Sequence, residues 1–248
     1  MNFSTKFLIT LFAVNLTFSM TGDDLAKAMK ERSKPLDTQS ESSMLLTNKK
    51  GKKKNLKLLS KSKNDSEKQM IWFLEPKDDY GISFLKIEND DGEDFMNMWL
   101  PGFNKFRRIS SQKKSDSFMG SDLSFEDMTN RELDEYTYKM IESDVLCYEA
   151  LDKICYILES IPNDKESEYS KHITWVEKDT FLSLKEESYD KDNKLLKNKS
   201  ITYTSIQNYN IMNKKAEKER LLDQRRVLSN EYSSIDKSVS WPRERATA

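Results

Sequence analysis

Thiols and imidazoles are scarce in this chain, which holds two cysteines (Cys147 and Cys155) and one histidine (His172) in 248 residues. So few donors exclude a zinc site of the usual cysteine and histidine kind. Net charge of either sign is also lacking, because 41 lysines and arginines nearly balance 42 aspartates and glutamates. No overall field therefore points to nucleic acid as a partner. There is no Gly-x-Ser-x-Gly elbow around Ser121, and His172 falls in an expected strand without a marked partner, so the constellation of a serine hydrolase is absent. The carboxylates Asp116, Asp122, Glu126 and Asp127 lack the spacing of a calcium loop and read as solvated or capping groups. No catalytic residue, metal or cofactor is expected. An internal repeat is not found, and no apolar run reaches the roughly 18 residues that cross a bilayer as a helix.

What is present begins with an export signal. Lys6 supplies a positive start, residues 7–18 form a short apolar stretch interrupted by Asn15, and Thr17-Phe18-Ser19 places small residues where signal peptidase reads. Cleavage after Ser19 is the expectation, with a periplasmic mature protein beginning at Met20. With no cysteine near that point, a bacterial lipoprotein anchor is not expected. Hydrophobic residues make up 36% and aromatics 10% of the chain, polar for a globular protein but too aromatic for a disordered one, and the length suits one domain.

Thr21-Gly22-Asp23-Asp24 followed by Leu25, Ala28 and Met29 reads as one amphipathic helix, stopped at Ser33-Lys34-Pro35. The period then changes to two. Strands are expected at 44–47 and 56–60 around the turn Asn48-Lys49-Lys50-Gly51, at 69–74, and at 82–87 and 95–100 around an acidic turn. Further strands are expected at 154–161, 172–177, 181–189 and 195–203. Short turns between consecutive strands imply an antiparallel meander. Cys147 and Cys155 fit two strands of one hairpin, either as a disulfide or as two half-buried strand residues. Lys52, Lys53, Lys54 and Lys57 suit a solvated face or a protected sheet edge better than a membrane contact. Residues 213–228 are dominated by charge and read as a solvated helix or disorder, and 229–248 show no clear period. The expected division is thus 1–19 signal, 20–212 domain and 213–248 tail.

One ordered series is distinctive: Trp99-Leu100-Pro101, then Phe106-Arg107-Arg108-Ile109-Ser110, then Ser117-Phe118-Met119-Gly120-Ser121-Asp122, with Glu126-Asp127 behind. It resembles the outer-membrane lipoprotein-sorting, LolA-like family. Phe73-Leu74-Glu75-Pro76, Cys155-Tyr156 and Tyr169-Ser170-Lys171 leading to Trp175-Val176 are similar to it as well. The resemblance covers about residues 43–209, and the late strands of the family are not recognisable after Met212. It implies a mainly β fold, an incomplete or half antiparallel β-barrel with covering helices and loops, whose apolar face accepts acyl chains. Within the Phe118 to Asp122 series, a structural loop is expected, with Ser121 or Asp122 capping a short helix.

Exposing one methylene to water costs about 0.8 kcal/mol, so a sixteen-carbon chain costs roughly 12 kcal/mol and needs a carrier in an aqueous compartment. Candidate lining residues are Trp72, Leu74, Phe84, Leu85, Met98, Trp99, Phe118, Met119 and Phe125, each of which would serve equally in a sealed core. The expected function is a periplasmic carrier or chaperone for lipids or lipoproteins in outer-membrane lipoprotein sorting. Its partners would be acyl chains and an inner- or outer-membrane protein, with no nucleic acid. The alternative is an accessory docking protein of a membrane transporter, an RND-type exporter, built on the same fold.

Overall fold

Alternating side chains along the segments after residue 37 set which residues are covered and which face water. The computed structural model describes residues 20–48, 50–89, 92–147, 150–206, 209–218 and 227–235, so the export signal expected over residues 1–19 lies outside the described residues. Among them are one α-helix, α1 (Gly22–Lys30), and thirteen strands. The first six are β1 (Thr38–Thr47), β2 (Lys53–Lys63), β3 (Lys68–Glu75), β4 (Ser83–Ile87), β5 (Phe95–Leu100) and β6 (Lys105–Ile109). Then come β7 (Tyr136–Cys147), β8 (Ala150–Pro162), β9 (Lys171–Glu177), β10 (Ser183–Tyr189), β11 (Leu195–Ile206), β12 (Tyr209–Lys218) and β13 (Val227–Ile235). All join one sheet in the order β6-β5-β4-β3-β2-β1-β13-β12-β11-β10-β9-β8-β7. Neighbours pair antiparallel throughout, so the expected meander is present. β6 and β7, consecutive in the chain, are its two free edges, and the barrel is not closed.

The helix expectation holds. Thr21 caps α1 by accepting from the Asp24 amide at 3.1 Å, while the Asp24 carboxylate accepts from the Thr21 amide at 3.0 Å. Leu25 and Ala26 are buried with Leu158 and Val176. Gly22 lets the helix start lie directly on β7, since a Cβ there would stand 2.7 Å from the Lys139 backbone. The turn between β1 and β2 uses Gly51 at φ +74°, the left-handed conformation that a glycine supplies cheaply.

Several expectations need correction. Residues 213–218 and 227–235, read as helix, disorder or aperiodic tail, belong to β12 and β13, and β13 pairs with both β1 and β12. Backbone ladder bonds do not depend on side-chain pattern, so a highly charged segment can be recruited by a neighbouring strand that its own sequence does not announce. β7 went unread because its apolar period is interrupted: its register with β8 shifts three times, and Asp144 takes φ 64°. The lysine-rich β2 is not an edge, since it lies between β1 and β3; Lys52 and Lys53 are exposed, and Lys54, also exposed, pairs with Asp79 at 2.6 Å. Cover comes from α1 and from the segment 110–135 rather than from several helices. Cys147 and Cys155 form a disulfide across the β7–β8 hairpin.

Candidate functional site

Strand register sorts the nine apolar candidates onto two faces. On the covered face, Phe84 stands beside Ile71 and Met98, and these pack with Phe73, Met96, Ile109, Phe118 and Phe125 in one buried cluster, against which Met119 is partly buried. On the opposite, open face lie Trp72, Leu74, Leu85 and Trp99, all half-buried; Trp72 and Trp99 flank Ser83, and the Trp99 ring is 4.7 Å from that of Phe106. Five candidates therefore share a surface and four do not.

Nothing in the strands themselves contributes Phe118 or Phe125. They come from residues 110–135, which lie over the apolar part of the sheet. Their rings meet at 5.6 Å and 85°, and Phe118 meets Phe84 at 5.3 Å and 75°, the edge-to-face geometry aromatic quadrupoles favour. Ser121 fixes this loop: its hydroxyl donates to the Phe118 carbonyl at 2.6 Å and accepts from the Leu123 amide at 3.1 Å. It caps no helix. Around the short 3-10 turn Glu126–Met128, Asp127 Oδ2 accepts from the Ser124 amide at 2.9 Å.

Beyond that turn the covered face changes character. Where β9 to β11 pass beneath the loop, alternate residues are Thr174 and His172, Glu186 and Ser188, Lys199 and Lys197, and every one of them is buried. Asp127, expected to be a solvated or capping group, is buried between Lys197 at 2.8 Å and Lys199 at 2.7 Å. Lys197 also reaches Glu168 at 2.8 Å and the Tyr169 hydroxyl. Glu186 accepts from Lys199 at 2.9 Å and from two nitrogens of Arg131 at 2.5 and 3.0 Å. His172, expected to be without a partner, has Nδ1 2.8 Å from the Ser188 hydroxyl and 3.3 Å from Arg131.

The electrostatics follow from this pairing. Burial alone would raise the Asp127 carboxyl, but Lys199 and Lys197 hold it well below the usual range. Glu186 is likewise held low against burial, by Arg131 and Lys199. His172 is pushed well below an ordinary imidazole by burial and by the neighbouring Arg131 charge, and is therefore neutral in the fold at pH 7.

That neutrality has a pH consequence. The unfolded imidazole titrates near about 6.5, so below that pH the unfolded chain binds a proton the folded one refuses. The contribution is whole above pH 6.5 and is lost as pH falls toward the folded value, at up to about 1.4 kcal/mol per pH unit. Glu126, raised chiefly by burial, pulls the other way nearer the carboxylate range. Urea unfolding between pH 5 and 6.5 should show the decline in the wild type and a flat profile in His172→Gln. An equal slope in both would rule out His172 as its source.

Small clefts open on the covered face among the described residues. One of about 170 Å³ is lined by Asp127, Arg131, His172, Glu186 and Lys199 among others. A second, about 200 Å³, lies between α1, residues 130–133 and the sheet, and a third, about 180 Å³, is lined by Lys114, Glu126 and Tyr136 among others. None of the nine apolar candidates lines any of the three. The covered face thus consists of an apolar part sealed by its own loop and a charged part with small clefts.

Comparison with known proteins places this architecture. A family model described as "Uncharacterized protein"-like matches residues 65–238, and no curated protein matches the chain. A putative outer membrane lipoprotein-sorting protein domain from Vibrio parahaemolyticus is 24% identical, with TM-score 0.79, covering 88% of this chain and 94% of that one. A DUF1329 family protein from Desulfovibrio piger is 31% identical, with TM-score 0.75 and coverage of 88% and 93%. A LolA superfamily protein from Nitrosomonas europaea shares the fold at 16% identity and TM-score 0.68, again over 88% and 93%. The fold is that of the LolA-like class. The chain belongs, within it, to the DUF1329 family. The matched span runs past residue 212 and takes in β12 and β13, the segments the sequence pattern did not reveal.

Proposed function

We propose that the protein is a periplasmic carrier of acyl chains, of lipids or of lipoproteins on their way to the outer membrane, working as a half-barrel without catalysis. The observation that carries this reading is the sealing of the apolar face by residues 110–135. Over residues 118–125 this segment meets the sheet through the buried Phe118, Leu123 and Phe125, while Asp127 and Arg131 anchor its far end to Lys197, Lys199 and Glu186; when residues 118–125 move away they vacate an apolar surface of Phe73, Phe84, Met96 and Met98 backed by a hydrogen-bonded sheet. An acyl chain replaces the rings with equivalent apolar contact, so exchange needs no large net free energy. The similarity to a lipoprotein-sorting domain supports the same reading, and the export expected from residues 1–19 accords with it. Among the described residues no helix is long and apolar enough to cross a membrane.

On this reading Phe84 and Met98 line the acyl site, Phe118, Met119 and Phe125 cover it until a chain displaces them, and Trp72, Leu74, Leu85 and Trp99 take no part. Mature protein is expected to take up a fluorescent fatty-acyl probe, with faster amide exchange over residues 118–125 when the probe is bound and undiminished uptake in Trp99→Ser. A wild type that takes up no probe would sink the carrier reading.

The alternative, a docking module of a membrane transporter such as an RND-type exporter, has one observation in its favour. Apolar groups stand in water near β6: Phe106 on the open face is 71% exposed, and Phe103 in the turn before it is 75% exposed. Lone exposed aromatics are ordinary, but exposed apolar groups clustered at one place often mark a contact surface, and the Phe106 ring also lies beside Trp99 at 4.7 Å. Absence of probe uptake would promote this reading.

A further inference from the structure

We propose that the cleft beneath α1 binds the anionic head of a single-chain amphiphile, a carboxylate or a phosphate monoester, with Arg32 as the pairing group. Its lining is of two kinds. Ala26, Met29, Leu133, Tyr138 and Leu158 make an apolar wall, and Lys30, Arg32, Lys34 and Arg131 bring cations to the same space.

The carboxylates facing those cations are Asp65, Glu132 and Glu186, and each is already engaged. Lys34 pairs with Asp65 at 2.7 Å, Arg131 with Glu186 at 2.5 Å, and Lys30 with Glu132. Among the described residues no carboxylate lies within ion-pair reach of Arg32, whose Nε donates to the Met29 carbonyl at 3.1 Å. A guanidinium has five donors in a planar fork that matches carboxylate and phosphate oxygens. The cleft thus holds one positive charge in excess, on the group best shaped for such an anion, beside an apolar wall. A bare anion would use the charge and leave the wall unused; a neutral amphiphile would do the reverse. About 200 Å³ is less than the roughly 300 Å³ where ligand pockets usually begin, and so suits a head and the first carbons of a chain rather than a whole ligand.

This inference rests on the carrier reading for the kind of ligand, and the experiment separates the two. Mature protein is titrated calorimetrically with dodecyl phosphate, with inorganic phosphate, and with dodecyl maltoside as a neutral amphiphile. Dodecyl phosphate is expected to bind more tightly than either of the others. Arg32→Gln should weaken it by about ten-fold or more, the loss of a charge-assisted contact, and leave dodecyl maltoside unchanged, while Arg32→Lys keeps part of the affinity. Equal binding of dodecyl phosphate by wild type and Arg32→Gln overturns the assignment while leaving the carrier reading intact. Inorganic phosphate binding as tightly as dodecyl phosphate also overturns it, and makes the cleft a simple anion site. Failure of both amphiphiles to bind removes the carrier reading along with this one.

Discussion

Asp127→Ala is expected to cost about 3–5 kcal/mol of stability, the usual result of removing one partner from a buried charge cluster. Asp127 is 1% exposed, and so is its partner Lys197, while Lys199 is 3% exposed. Taking the carboxylate away leaves two ammonium groups facing each other with only Glu168 and Glu186 to offset them, and Glu186 is already shared with Arg131. The expected cost comes from the stranded charge rather than from the lost attraction, and that distinction can be tested. In Asp127→Leu with Lys199→Met, Lys197 keeps Glu168 and Arg131 keeps Glu186, so no charge is stranded. Urea unfolding should find this double variant less destabilised than Asp127→Ala alone, as when apolar groups replace a buried pair. A double variant that loses the sum of its two single losses would mean that the cluster is not electrostatically coupled.

The legible parts of the chain were those whose side chains declare their surroundings. β1 and β2 flank a turn whose glycine takes the left-handed conformation, and β3 to β5 are short apolar runs bounded by Pro76 and an acidic turn, so composition and turn chemistry agreed. The Trp99 to Asp127 series led correctly to the LolA-like class because its order is conspicuous in the primary sequence alone. The charged part of the covered face was hidden for a physical reason. A lysine that faces water and one that faces a buried aspartate look alike until the partner's position is known, and Asp127 is about 70 residues from Lys197. A clue lay in β11, where Lys197 and Lys199 sit two apart, on one face of a strand whose other face offers Asn198 and Ser200. Neither face of that stretch is apolar, so one had to bury polar groups, and buried lysines require carboxylates. The split of the nine apolar candidates was similarly out of reach. Trp72 and Phe73 are adjacent and equally apolar, and only the register of β3 against β4 decides which points toward the loop.

Phe118→Ala is the other large expected loss, about 3–5 kcal/mol, the range for deleting a buried phenylalanine ring where the surroundings cannot collapse. Phe118 is fully buried against Phe73, Phe84 and Phe125, with ring centres 6.1, 5.3 and 5.6 Å away. The sheet behind is held by its ladders and cannot move inward, so most of the vacated volume should persist. A loss below about 1 kcal/mol would place the ring outside a rigid core. The same variant carries information about function. If an acyl chain displaces residues 118–125, Phe118 contributes little once the chain is bound, and the mutation costs the free protein more than the complex. By linkage the variant must then bind the acyl probe more tightly than the wild type, by a factor set by the difference between the two costs. Unfolding with saturating probe should accordingly show a smaller gap between wild type and Phe118→Ala than unfolding without it. If the ring instead stays in place and touches the chain, the gap widens with probe and the variant binds more weakly. Denaturation at two probe concentrations distinguishes a displaced loop from a fixed wall.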